Sequence, residues 1–451
     1  MPVTPRAAVP ALAGLFGGYL AAFVLTDPPG GRWAVHTSGR ELDRWLSAQP
    51  TAIAVAVVVA AATCAALARN GSRRIGWAVA AACVAVLLGV RLAVPGVAGV
   101  DGLIALHTVK CLAAGALLGA AVAAGWGHRG AQRAVAAGGL AGFLSVSAWG
   151  AAAARESTST LGEPAWWLIG VTLALAAAAA ATANVSSRIP RITGPEAGAA
   201  LLTVVVLAAV NRLQIAWIGQ GGNDTRLRQW VVIAVAMVVV LVATEVCARL
   251  IARRTRSGDG AIVLAATGVA AAAMPVLVDL RNPFRDVPSA AVVAVAAVAV
   301  AVGVAVAVRR PAPIAGLAVA AAVPVVGAIW PDLGAQGPLL LVRLAVVGVG
   351  AGWALASALP GSAAVAAVGL AIPFASTVFH AAATVIVPHS PNVIFDGAYE
   401  PLRGVEMSRA YSEDLDAFFA ISSYDDRMAG IALAVAVAFC AWGVRGVRAV
   451  R

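Results

Sequence analysis

Residues 289–308 read SAAVVAVAAVAVAVGVAVAV, twenty residues without a charge, closed by Arg309 and Arg310. A run of that length matches the ~20 apolar residues that carry a helix across a bilayer core of about 30 Å. Working outward, comparable runs occupy 7–26, 50–68, 75–94, 102–126, 134–154, 164–186, 196–218, 229–250, 260–280, 313–330, 337–358, 362–387 and 428–445. The composition agrees, with 61% hydrophobic and 12% charged residues where a soluble domain carries roughly 25% charged. Such a chain cannot cover itself with polar surface. Backbone amides in hydrocarbon must be satisfied within their own segment, which requires helices. The expected fold class is therefore an all-α polytopic membrane protein with about 14 transmembrane helices, numbered here as segments 1–14 in chain order.

The same pattern excludes other classes. The first run follows a short basic start, but Asp27-Pro28-Pro29 follows it directly with no small-x-small cleavage site, so it reads as segment 1 and not as a signal peptide. The five cysteines, Cys64, Cys83, Cys111, Cys247 and Cys440, all fall inside predicted helices. That placement supports neither a disulfide framework nor a metal site. A net charge of +11 comes from arginines spread over short loops, which forms no nucleic-acid-binding tract. No phosphate-binding loop, zinc signature or nucleophile elbow appears, and no cofactor is expected.

Charge also sets orientation. With the N-terminus inside, the inner loops and tails hold Arg6, Arg69, Arg73, Arg74, Arg129, Arg133, Arg188, Arg191, Arg249, Arg253, Arg254, Arg256, Arg309, Arg310, Arg445, Arg448 and Arg451 against two acids, Glu196 and Asp259. The outer loops hold eleven arginines and eighteen acids. This positive-inside bias gives an N-in/C-in protein of the plasma membrane. Two outer stretches are long. In 27–49, Leu42 and Trp45 alternate with charges over Ser38–Ala48, which reads as a short helix lying at the interface. Residues 388–427 are acidic and hold Tyr399, Tyr411 and Tyr424, a recognition surface or a lid.

A faint internal repeat runs across the segments. Segments 1 and 9 end at Asp27 and Asp279, segments 2 and 10 are followed by Arg73-Arg74 and Arg309-Arg310, and Lys110 and Arg343 each stand five residues before a glycine, Gly115 and Gly348. The implied plan is a 6+2+6 pseudo-repeat: 1–195 as an N-terminal six-helix bundle, 196–258 as two inserted helices, and 259–451 as a C-terminal bundle carrying the outer loop. On these residues the chain resembles the fourteen-helix branch of the major facilitator superfamily. Leu67-Ala68-Arg69-Asn70-Gly71-Ser72-Arg73-Arg74 looks like a degenerate form of that family's basic loop between helices 2 and 3, lacking its acid, and Lys110 stands one residue too far from its glycine to match the family's helix-4 arginine. The resemblance implies a transporter working by alternating access.

Ionisable residues inside the segments carry the functional reading, because a charge at mid-membrane costs roughly 2.5–3.5 kcal/mol even on insertion scales. Lys110, the only lysine, lies near mid-depth; Arg343, Arg212, Arg91, His107 and His380 join it, opposed within the helices by Glu245, whose partner by helical spacing is Arg249. A cationic interior selects an anionic or lipid-linked small-molecule substrate, with Lys110, Arg343, Arg212, His107 and His380 as substrate-binding candidates. Arg91, in an outer third, is expected to snorkel. The expected partners are membrane lipid and that substrate. Two other readings stand beside this one. A GT-C-like membrane glycosyltransferase would use Asp27 as general base beside the interfacial helix, and a non-catalytic membrane assembly partner would use neither site. Alanine, valine and arginine richness points to a high-GC, actinobacterial source, for which flipping a cell-envelope lipid is a special case.

Overall fold

The computed structural model describes residues 5–26, 39–97, 99–156, 161–184, 187–220, 226–255, 258–281, 286–331, 333–384 and 426–449. Asp27 and nearly all of the outer loop 388–427 lie outside them. The helices are α1 (Pro5–Thr26), α2 (Gly39–Asn70), α3 (Arg73–Ala93), α4 (Val100–Gly125), α5 (Arg129–Glu156), α6 (Trp166–Thr182), α7 (Gly194–Gln220), α8 (Arg226–Thr255), α9 (Ala261–Arg281), α10 (Ser289–Arg309), α11 (Pro313–Ile329), α12 (Gly337–Ser357), α13 (Ala363–Ala375), α14 (Thr377–Ala383) and α15 (Asp426–Ala449). Each of the fourteen apolar segments coincides with helix, and the chain is a multi-pass helical membrane protein. Among the described residues, eleven helices are long and apolar enough to cross a membrane, and α6 and α11 are apolar but only 17 residues long.

Two boundaries differ from expectation for local reasons. The interfacial helix at 38–48 and segment 2 are one continuous helix, because Pro50 does not break it. The ring removes one ladder bond, to Leu46 O, and beside it Thr51 Oγ1 donates to Ser47 O at 2.9 Å and Ser47 Oγ donates to Arg44 O at 3.0 Å. Trp45 consequently points inward at 1% exposure and does not lie at the headgroups. Segment 13 divides into α13 and α14 three residues after Pro373, where Ser376 Oγ claims Ile372 O at 2.8 Å.

The helices pack by the same plan twice. In the first six, α1 lies against α4, α5 and α6, and α4 lies against α2 and α3, with α3 touching α6. In the last set, α9 lies against α12, α13 and α15, and α12 lies against α10 and α11, with α11 touching α15. Contacts between the sets follow a two-fold relation as well: α2 meets α13 while its counterpart α10 meets α5. The pair α7–α8 is outside this plan and bridges it, with α7 on α2 and α13 and α8 on α9 and α15.

Small residues let the paired helices touch backbone to backbone. A Cβ on Gly115 or Gly119 of α4 would sit 2.1 or 2.2 Å from Ala56 O or Ala60 O of α2, and in the other set a Cβ on Gly352 of α12 would sit 2.5 Å from Val300 O of α10. These are equivalent contacts, which fixes Lys110 and Arg343 as counterparts. Gly115→Val and Gly352→Val are each expected to cost more than the 1–3 kcal/mol typical of overpacking, because backbone is in the way. Yield of folded protein in mild detergent checks this, and wild-type yields for both would show that the helices stand farther apart. The junction between the sets is built around α13, all thirteen of whose residues are buried.

Candidate functional site

The expected site residues fall in three places. On α4, Lys110 is 1% exposed and its ammonium donates to the carbonyls of Leu161 and of Gly162, the latter at 3.5 Å. The 161–165 turn that supplies them needs a left-handed residue, and Gly162 (φ 63) provides it. Glu163 Oε1 accepts from Leu161 N at 3.2 Å, so a carboxylate closes the same turn. His107, one turn away on α4, is equally buried, with its ring 5.7 Å from that of Trp45 and its Nε2 3.5 Å from Cys111 Sγ. Lys110 and His107 thus face a small cluster of Trp45, Val100, Leu103 and Leu161 inside the first helix set. Arg91 stacks on Trp166, 4.3 Å from the ring centroid.

Arg343 occupies the counterpart position in the second set and has different surroundings. Its Nη1 donates to Asp279 Oδ2 at 2.7 Å, with side chains 12% and 24% exposed, respectively. The pair borders a cavity of about 160 Å³ whose wall includes Pro275, Pro324, Gly327 and Gln336. Prolines in α9 and α11 interrupt two of those walls, and each frees a carbonyl from its ladder. His380 on α14 meets Arg281, Nη1 to Nε2 3.2 Å, at the end of α9. Arg212 ties α7 to α2 through Thr51 Oγ1 at 2.9 Å and Ser47 O at 3.4 Å. The helical pair Glu245–Arg249 forms at 2.8 Å. The cavity that Arg343 borders is not lined by Lys110, and among the described residues each cation bonds within its own helix set.

A second cluster, on the basic face, went unremarked in the sequence. Trp126, just past α4, is 1% exposed and its Nε1 donates to Gly361 O, just before α13, at 3.0 Å. That bond joins the two helix sets. Each side of it is held in place. Arg73 donates to Ala124 O at 3.1 Å and to Trp126 O at 2.6 Å. Asp259 accepts Gly361 N at 3.1 Å and Ser362 N at 3.4 Å, so a carboxylate meets the positive N-terminal end of α13. The basic loop that positions Arg73 is fixed in turn: Ser72 caps α3 by accepting Ile75 N, and Arg73 N donates to Ser187 O at 3.0 Å. Gly127 (φ 86) turns the chain, and a Cβ there would meet both Arg73 Nη2 and Pro190 Cγ at 2.9 Å.

His128 completes that turn, and burial, with Arg73 next, holds its imidazole below the usual histidine range. A histidine whose folded pKa is depressed takes up protons on unfolding, so its contribution is complete above the unfolded value near 6.5 and is lost as pH falls. The melting temperature should therefore drop between pH 7 and 5, and His128→Gln should flatten that slope. An unchanged slope would place His128 away from Arg73.

No family model matches the chain, and no curated protein matches it. The chain is similar over nearly its whole length to two solved structures. One is an auto-inhibited peptide transporter of the POT family, at 12% identity over 99% of this chain and 96% of that one, with a TM-score of 0.44. The other is a double-Trp mutant of XylE, at 12% identity over 98% and 97%, with a TM-score of 0.41. The plan rests on the chain's own repeated helix pairing.

Proposed function

We propose that the protein is a carrier of the major facilitator type that works by alternating access, moving a small anionic or lipid-linked substrate. The two six-helix sets, with boundaries near 195 and 259, are its moving halves, and α7–α8 is an inserted strut. The observation that carries this reading is the two-fold repeat of helix pairing, with the repeats tied at the basic face by Trp126–Gly361 and toward the opposite end by Ser289 Oγ donating to Ala148 O at 3.0 Å. Alternating access needs two bodies that rock about a junction, and a contact that closes one face must break when that face opens. Asp27, the general base of the glycosyltransferase alternative, lies outside the described residues, and the interfacial helix of that alternative is part of α2. In this reading Arg343 is the substrate contact, a guanidinium suited to carboxylate or phosphate, and Asp279 holds it until substrate arrives. Uptake of a panel of labelled organic and phosphorylated anions into proteoliposomes is the test. Any anion the wild type accumulates should enter Arg343→Gln at least tenfold more slowly, and uptake by that variant at the wild-type rate would exclude Arg343 from the path.

A further inference from the structure

Beside the Asp279–Arg343 cavity, the outer end of the second helix set carries an open groove of about 530 Å³, lined by Ile329, Trp330, Pro331, Leu333 and Arg427. Pro331 lines both spaces, and Arg427 at the start of α15 stands two and three residues from Ala429 and Gly430, which line the inner one. The groove is thus the mouth of the cavity. Ile329, Trp330 and Leu333 are exposed at 53%, 60% and 48%, as open as the outward-facing apolar side chains of the other helices. Helix α11, which ends at this mouth, has only 17 residues, a rise of about 26 Å against about 30 Å of hydrocarbon. Its outer end therefore lies at the depth where lipid chains meet their head groups.

Charge and shape then select the occupant. The apolar mouth suits an acyl chain and Arg427 suits a phosphate, while the cavity behind it offers one carboxylate and one guanidinium side by side, Asp279 and Arg343 at 2.7 Å. A purely anionic head would meet Asp279 as a like charge. A head bearing both a phosphate and an amine satisfies each partner, and about 160 Å³ has room for a small group of that kind. We propose that a phospholipid with an amine-bearing head group places that head in this cavity from the outer leaflet, over the outer end of α11, where α11 and α15 are already packed backbone to backbone at Ala328 and Gly430. Its phosphate would engage Arg427 and Arg343, its ammonium Asp279, and its chains would lie along Ile329, Trp330 and Leu333. The inference narrows the substrate class of the carrier reading and rests on it for its purpose, but binding can be measured without transport.

Gly327 supplies the test, because it lines the cavity and a Cβ there meets nothing within 4 Å. Gly327→Leu adds a side chain whose Cβ meets no atom within 4 Å and replaces a helical glycine, which favours folding. Gly170 on α6, also with nothing within 4 Å of its Cβ, provides the control Gly170→Leu. Native mass spectrometry of the full chain, titrated with phosphatidylethanolamine, phosphatidylglycerol or water-soluble glycerophosphoethanolamine, reads occupancy directly. The expected result is a phosphatidylethanolamine adduct that survives in Gly170→Leu, falls at least tenfold in Gly327→Leu, and falls several-fold in Arg427→Gln, a surface change that leaves packing alone. Phosphatidylglycerol should bind at least tenfold more weakly, and the chain-free head weaker still. Equal binding of both lipids, equal binding of the free head, or an adduct indifferent to both Gly327→Leu and Arg427→Gln would overturn the proposal. Binding that behaves as expected in a protein whose two faces never alternate would leave this site standing and sink the carrier reading alone.

Discussion

Lys110→Ala is expected to lower the unfolding free energy by about 3 kcal/mol, from the loss of charge-assisted bonds to two carbonyls and the void left by a fully buried side chain. Lys110→Met, which keeps the volume and removes the charge, is expected to cost about 1 kcal/mol, because losing those bonds is partly offset by no longer burying an ammonium. The physical reason lies in the 161–165 turn: Leu161 and Gly162 present carbonyls to a dry interior, where an unmet acceptor is costly. Thermal unfolding in detergent orders the variants as wild type, Lys110→Met, Lys110→Ala. If both variants unfold at the wild-type temperature, the turn does not depend on the ammonium, and a direct role for Lys110 in binding substrate regains its force.

The second large effect is conformational. Trp126→Phe keeps a buried aromatic ring, removes the five-membered ring, and with it deletes the Nε1–H that spans the two helix sets to Gly361 O. A net loss of about 1 kcal/mol corresponds to about a fivefold shift from the closed to the open basic face. Ser362 is 7% exposed beside the latch, so a cysteine placed there reports opening. Labelling of Ser362→Cys by a membrane-impermeant maleimide from the basic side should speed up about fivefold when combined with Trp126→Phe. Asp259→Asn should act in the same direction but more weakly, since the amide oxygen can still cap α13 without the charge. Unchanged labelling in both would mean that the face opens without breaking this contact.

Much of the fold was legible because twenty-residue apolar runs admit one solution in a bilayer, and the repeat was visible where close packing demands glycine. Gly115 and Gly348 mark equivalent approaches of α4 and α12 to their neighbours, so the cations five residues before them are counterparts. The site was less legible. Depth along a helix can be counted from sequence, but the face a side chain turns toward depends on which helix packs there. Lys110 has the mid-membrane depth of a substrate residue, yet a backbone turn 51 residues away takes its charge. Asp279 reads as the end of α9, and only packing brings it to Arg343, 64 residues on. Trp126 and Gly361 carry no charge and sit in short loops 235 residues apart, so nothing local announces the latch. The interfacial helix and segment 2 form one element because α2 runs through Pro50, which costs it a single ladder bond.

The central claim is that the two six-helix sets move as bodies about a junction that the basic-face latch closes. Arg129 at the start of α5 and Arg310 just after α10 are exposed on that face, one in each set. Spin labels at both positions, in lipid nanodiscs and with the five native cysteines replaced by alanine, report the separation of the halves. The expected result is two resolved distances whose longer component grows about fivefold relative to the shorter in Trp126→Phe. A single narrow distance, identical in wild type and Trp126→Phe, would show a rigid scaffold and contradict alternating access.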